Sequence, residues 1–166
     1  MHIQECSAKN VCHTVNTSIV IDAAWRWHHA KGGYGKCDTV CSDENRCNNE
    51  CEVEGLDIND YKGQGVTSLS NNGVKMNLVP GSRLYLLGTD GDYQMFKLKN
   101  REISMDIDMS TLPCGVNAAA YFIEMQKDGG MRQPNSQNKA GPKYGTGYCD
   151  AQCPKGNWLS TGYKKD

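Results

Sequence analysis

Apolar and polar positions alternate over short stretches of this chain, and helical spacing is hard to find. Five segments predict strands from their β-branched content, alternation and bounding turns: Ser18–Trp27, Val74–Val79, Arg83–Leu87, Tyr93–Leu98 and Glu102–Met109. A sixth, Ala118–Met125, is apolar with one tyrosine. Turn signals separate them at Asn71-Asn72-Gly73, Pro80-Gly81, Thr89-Asp90-Gly91-Asp92 and Lys99-Asn100. Strands spaced roughly ten residues apart with tight turns predict an all-β antiparallel sandwich or barrel. Cys37–Cys51 is expected to be loop with one helical turn at most, and residues 126–143 an exposed, Gly/Pro-rich loop. Neither an internal repeat nor a linker is visible.

Face assignments follow from the two-residue period of a strand. Ile103, Met105, Ile107 and Met109 would face a core, and Ser104, Asp106 and Asp108 water or ligand. Two carboxylates on one face allow acid/base chemistry, but a solvated sheet face is the preferred reading. Trp25 and Trp27 would share a face with their indoles roughly 7 Å apart. That spacing suits successive rings of a sugar polymer, and it equally suits two core tryptophans. Arg26, His28 and His29 suggest that this strand ends at a wet rim. Asn117, Ala119 and Tyr121 form another one-sided set, and Arg83 and Tyr85 a similar pair. The stretch Tyr144-Gly-Thr-Gly-Tyr-Cys-Asp-Ala-Gln-Cys-Pro154, taken as a strand, presents Tyr148, Asp150 and Gln152 on one face and Cys149, Ala151 and Cys153 on the other. The first face is polar and aromatic, suited to a hydroxylated ligand.

Composition narrows the class. The 166 residues carry a net charge of −1, so nothing points to nucleic acid or an anionic membrane. No apolar run approaches the ~20 residues of a membrane helix. Met1–Ala8 lacks the apolar core of a signal peptide, so the sequence is expected to begin at a mature terminus or downstream of its true start. Nine cysteines, six of them between Cys6 and Cys51, imply an oxidising compartment and a secreted, extracellular protein. Asn16-Thr17-Ser18 fits the glycosylation sequon. Because nine is odd, at least one thiol has no partner within the sequence. Cys37, Cys41, Cys47 and Cys51 could be read as metal ligands, but their spacing departs from zinc knuckles, and disulfides are preferred. Nucleophile-elbow, P-loop and dinucleotide fingerprints are absent from the sequence.

Taken in chain order, Ser18-Ile-Val-Ile-Asp-Ala-Ala-Trp-Arg-Trp27, Ser82-Arg-Leu-Tyr-Leu-Leu87, Leu112-Pro-Cys-Gly-Val-Asn117 with Tyr121-Phe122, Asp128-Gly-Gly130 and Lys143–Pro154 resemble the family 7 glycoside hydrolases, the secreted cellulases. The resemblance runs from Cys6 to Pro154, leaves 155–166 as a poorly matching tail, and makes residues 1–166 the N-terminal portion of one catalytic domain. It implies an incomplete concanavalin A-like jelly-roll sandwich with a cleft for a cellulose chain. Trp25 and Trp27 would be sugar-stacking platforms, and Arg83, Asn117 and Tyr121 hydrogen-bonding cleft residues. Asp150 and Gln152 would lie beside the catalytic centre, Asp150 tuning a catalytic carboxylate. The implied disulfides are Cys6–Cys12, Cys37–Cys51 and Cys41–Cys47, with Cys114, Cys149 and Cys153 bonding further down the chain. No cofactor or metal is implied, the partner is cellulose or another β-1,4-glucan, and the full-length parent would be a monomer.

The sequence departs from the family where the chemistry resides. The catalytic spacing Glu-x-Asp-x-x-Glu occurs nowhere in it. Retaining hydrolysis needs two carboxyl groups about 5–5.5 Å apart. The sequence therefore reads as the glucan-binding part of a retaining β-1,4-glucanase, inactive alone. The short Cys37–Cys41 and Met76–Ser82 loops favour an open, endoglucanase-like cleft over a cellobiohydrolase tunnel. A non-catalytic glucan-binding protein on the same scaffold is the alternative. A disulfide-rich structural or inhibitor protein fits less well, because long cysteine-free strands follow the N-terminal cluster.

Overall fold

The computed structural model describes residues 1–23, 28–33, 35, 37, 46, 49–70, 72–77, 82–134, 138 and 140–148. Strands dominate its regular structure: β1 (His2–Ala8), β2 (Val11–Asn16), β3 (Ser18–Ile21), β4 (His28–Ala30), β5 (Cys51–Val53), β6 (Val66–Ser68), β7 (Val74–Met76) and β8 (Leu84–Leu87). Helix α1 spans Ile58–Gly63, and Pro142–Tyr144 forms a 3-10 turn. The strands pair antiparallel as β1–β2, β3–β8, β4–β5 and β6–β7.

The N-terminal hairpin β1–β2 escapes the strand pattern because it is polar on both faces. Its register sets Cys6 opposite Cys12, and the two form a disulfide. A side-chain clasp ties it to the β6–β7 turn. The His2 amide donates to Asn72 Oδ1 (2.6 Å) while Asn72 Nδ2 donates to the His2 carbonyl (2.7 Å). Helix α1 is short, buries no residue, and starts at a capping box. The Asn59 and Asp60 amides donate to Asp57 Oδ1, and the Asp57 amide donates to Asp60 Oδ2.

Among the described residues, two buried clusters form the core. Ala23, Cys37, Cys51 and Val53 pack with Ala140 and Tyr144 around the Cys37–Cys51 disulfide. Val20, Leu87, Tyr93 and Met125 pack with Tyr85, Ile123 and Tyr148. The second cluster lies on one face of β3–β8, the pair that also carries the candidate site.

Several expected elements differ. Ser18–Trp27 forms a strand only over Ser18–Ile21, and residues 24–27 lie outside the described residues. Tyr93–Leu98 contributes a single bridge, Leu87 to Tyr93, with the Gln94 amide donating to Leu86 O (2.9 Å). Neither Glu102–Met109 nor Ala118–Met125 forms a strand: Tyr93 N donates to Lys127 O and Phe96 meets Phe122 edge-on, but no ladder of backbone bonds follows from either stretch. Ile103, Met105, Ile107 and Met109 are consequently exposed rather than facing a core. The expected exposed loop at 126–143 is instead anchored inside, with Asp128, Gly129, Gly130, Asn138, Gly141 and Pro142 buried. Tyr144–Tyr148 is turn rather than strand, and Cys149–Pro154 lie outside the described residues.

Candidate functional site

Register builds the site. Ile21 pairs with Leu84, so the next positions outward, Asp22 and Arg83, face each other, with the Asp22 amide donating to Arg83 O at 2.9 Å. Alternation puts Val20 and Asp22 of one strand on the same side as Arg83, Tyr85 and Leu87 of the other. The inner end of this face is apolar, and its outer end is charged and aromatic.

Asp22 is the anchor of the outer end and is only 5% exposed. Its Oδ2 forms an ion pair with Arg83 Nε at 2.9 Å and accepts a hydrogen bond from the Tyr85 hydroxyl. Burial, followed by the charge of Asp22, pushes the Tyr85 phenol well above its usual pKa, so it stays protonated and donates. Burial also acts to lower the Arg83 pKa. With Tyr85 neutral, the Asp22 carboxylate outweighs burial and raises the guanidinium above its ordinary value. The Arg83 guanidinium lies 4.7 Å from the centre of the Tyr148 ring, a cation–π contact. Tyr148 and Tyr93 both meet Tyr85 edge-on, at 6.0 and 5.4 Å.

Tyr148 reaches this position because a glycine-rich segment passes extremely close to β3. Gly145 has φ 69°, and a Cβ there would sit 2.1 Å from the Ile21 carbonyl oxygen. Ala23 N donates to Gly145 O at 2.9 Å. Below the segment, fully buried Asn138 gathers four backbone and side-chain groups. Its Nδ2 donates to Gly129 O, and its Oδ1 takes the amides of Ala140 and Gly141 and lies 3.0 Å from Thr146 Oγ1. The Tyr93 hydroxyl completes the tie by donating to Thr146 O at 2.7 Å.

The structure thus brings together Arg83 and Tyr121 of the expected cleft residues, and adds Tyr148 from the expected polar face. Tyr121 is 58% exposed and lies close enough to Arg83 to favour its charged form. Asn117 is exposed, and no hydrogen bond or ion pair among the described residues joins it to the cluster. Trp25, Trp27, Asp150, Gln152 and the Cys41–Cys47 pairing lie outside the described residues. Asn16 is exposed at the end of β2. Cys114 is exposed and free.

Sequence reasoning missed Asp22 as the anchor. The available signal was an acidic residue directly after a β-branched run, where a neighbouring strand starts with arginine. Asp108 is a turn cap: Ser110 donates from its hydroxyl (2.7 Å) and amide (2.9 Å), and these bonds hold its carboxyl below the usual range. Asp106 and Asp108 are both exposed, but with no strand formed there is no sheet face for them to share. His29 takes part in β4 and places Nε2 3.2 Å from Glu54 Oε2, at the edge of a groove of about 450 Å³. A larger groove of about 630 Å³, lined in part by Ile19, Ile58, Tyr61 and Val74, lies away from Arg83. No helix among the described residues is long and apolar enough to cross a membrane.

An all-β scaffold with an arginine held among tyrosines at the end of a strand pair is consistent with polysaccharide-acting sandwich proteins. Residues 1–163 match glycosyl hydrolase family 7, and the chain belongs to that family. It superposes on a family 7 cellobiohydrolase from Daphnia pulex with a TM-score of 0.83 and 38% identity, covering 93% of this chain and 37% of that one. An endoglucanase I complexed with cellobiose gives 0.75 and 34%, over 92% and 41% of the two chains. A cellobiohydrolase from Melanocarpus albomyces complexed with cellotetraose gives 0.69 and 38%, over 92% and 38%. The fold is accordingly the family's β-jelly-roll sandwich, and the chain spans less than half the length of these structures. Two disulfides that the resemblance implies, Cys6–Cys12 and Cys37–Cys51, are formed.

Proposed function

We propose that this chain forms the glucan-binding part of a secreted, retaining β-1,4-glucanase acting on cellulose. The observation that carries the reading is the Asp22–Arg83–Tyr148–Tyr121 grouping in a family 7 fold. A charged donor backed by aromatic rings, with an exposed phenol beside it, suits the hydroxyl groups and C–H faces of a sugar chain. Trp25 and Trp27 would stack successive glucosyl units, and Arg83, Asn117 and Tyr121 would hydrogen-bond them. Asp150 and Gln152 would flank the catalytic centre. The nucleophile and acid/base carboxylates lie outside this sequence, which has no Glu-x-Asp-x-x-Glu spacing. The short Cys37–Cys41 and Met76–Ser82 loops favour endoglucanase-like action. Carbohydrate at Asn16, a monomeric parent and no cofactor complete the proposal.

The purified chain is expected to bind cellotetraose and to leave carboxymethylcellulose uncleaved. Reducing-sugar release by the chain alone would overturn the assignment of the chemistry to residues elsewhere. A second reading, a non-catalytic glucan-binding protein, is favoured by the missing catalytic spacing itself. The downstream reading frame separates the two. Continuation into Glu-x-Asp-x-x-Glu supports the enzyme, and a genuine stop after Asp166 supports the binder.

A further inference from the structure

We infer that Asp22 is a positioning residue that fixes the plane of the Arg83 guanidinium against the Tyr148 ring, so that Arg83 presents one fixed hydrogen-bonding edge to a chain of neutral hexose units. The inference rests on the glucan-binding reading of Arg83.

Four observations converge. Asp22 is buried, so its carboxylate contributes through protein partners rather than by touching a ligand. Its Oδ2 contacts Arg83 Nε at 2.9 Å, at the inner edge of the guanidinium. Tyr85, held in the same face by the Val20 pairing, donates to that same oxygen and fixes the carboxylate in turn. The Arg83 guanidinium carbon lies over the Tyr148 ring, 4.7 Å from its centre. An arginine side chain has several rotatable bonds, and ordering them on binding would weaken affinity. Here the edge contact and the ring contact set the plane in advance. Tyr121, more than half exposed, marks the side on which a ligand would meet it.

The same contacts couple two distant stretches of chain. Tyr148 stands two residues before Asp150, and Asp22 three before Trp25. Arg83 bridges Asp22 and Tyr148.

The test combines guanidinium NMR, which reads rotation about the Arg83 Nε–Cζ bond, with calorimetric titration of cellotetraose into the full 166-residue chain. Slow rotation is expected in the wild type. Asp22→Asn keeps the shape and removes the charge, and should speed rotation at least about tenfold. Cellotetraose affinity should fall by about the same factor, with partial recovery in Asp22→Glu. Tyr148→Leu should speed rotation and Tyr148→Phe should keep it slow, which preserves the test if the Asp22 variants fail to fold. A merely structural Asp22 would lower the melting temperature and leave rotation unchanged. Rotation in the wild type as fast as in free arginine, or unchanged in Asp22→Asn, overturns the positioning role. Held rotation with no wild-type affinity for cellotetraose instead overturns the glucan reading, so the two failures are distinct.

Discussion

Gly147 packs directly onto the carbonyl of Gly129: a Cβ at position 147 would lie 2.0 Å from that oxygen, and its backbone φ is 97°. Gly145 meets the Ile21 carbonyl as closely. Neither approach leaves room for a side chain, and backbone on the opposing side cannot swing away. Gly145→Ala and Gly147→Ala are each expected to destabilise the chain by at least about 3 kcal/mol. Gly91→Ala is the control. Its φ is 81° but nothing lies within 4 Å of the added carbon, so only the backbone penalty of about 1–2 kcal/mol applies. Chemical denaturation of the three variants checks the ranking.

Removing the Asp22 carboxylate leaves Arg83 and Tyr85 facing a buried gap. Truncating one partner of a buried ion pair costs about 3–5 kcal/mol, and the 32% exposure of the Arg83 side chain reduces this to about 2 kcal/mol. Asp22→Ala should therefore lower the thermal midpoint clearly. Tyr85→Phe, which removes only the hydroxyl, should cost about 1 kcal/mol. Thermal melts of both variants measure the difference.

Acid should loosen the turn after β8. Lys127 donates to Asp90 Oδ2, and the Asp92 amide donates to Asp90 Oδ1. These bonds hold the Asp90 carboxyl below its ordinary 3.8. A carboxyl whose pKa falls on folding stabilises fully above its unfolded value and loses that contribution as pH drops through the folded value. The melting temperature is expected to fall as pH drops below about 5 towards about 2, and to fall less steeply in Lys127→Ala. Circular dichroism melts across that range test it.

The stretch from Met95 to Phe122 exposes Met95, Leu98, Ile103, Met105, Ile107, Met109, Val116 and Phe122. So much apolar surface on extended backbone without ladder partners favours association. The chain is expected to bind a hydrophobic dye and to self-associate with rising concentration. Ile103→Lys with Ile107→Lys should reduce both, as read by dye fluorescence and light scattering. A monodisperse wild type without dye binding would contradict it.

The parts legible in the sequence are those where local pattern and tertiary partner agree. Ser18–Ile21 and Leu84–Leu87 are β-branched or apolar runs, and each finds the other. The Thr89–Asp92 turn is readable from its Asp and Gly residues, and Arg83 with Tyr85 already forms a one-sided pair. Glu102–Met109 alternates as cleanly, yet strand propensity is realised only beside a neighbouring strand. Hairpin β1–β2 has no apolar face to announce it, since its order comes from the Cys6–Cys12 bridge and the His2–Asn72 clasp. The Asp57-x-x-Asp60 cap was readable but sits before too short an apolar run to mark a helix. The segment 126–143, with Asp128–Gly130, Asn138, Gly141 and Pro142 buried, is the sharpest departure. Its polar composition suggests water, while Asp128 and Asn138 use their polar atoms to satisfy backbone inside the protein.

The Cys37–Cys51 bridge packs against Ala23 and lies in the same cluster as Tyr144, four residues before the ring that covers Arg83. Production host therefore matters to the Arg83 grouping as well as to yield. Chains made in a reducing cytosol would carry two thiols where this packing needs a bond, and the seat of the segment leading to Tyr148 would slacken. Such material is expected to be intact by mass while the Arg83–Tyr148 contact is loosened, and mild re-oxidation should restore that contact.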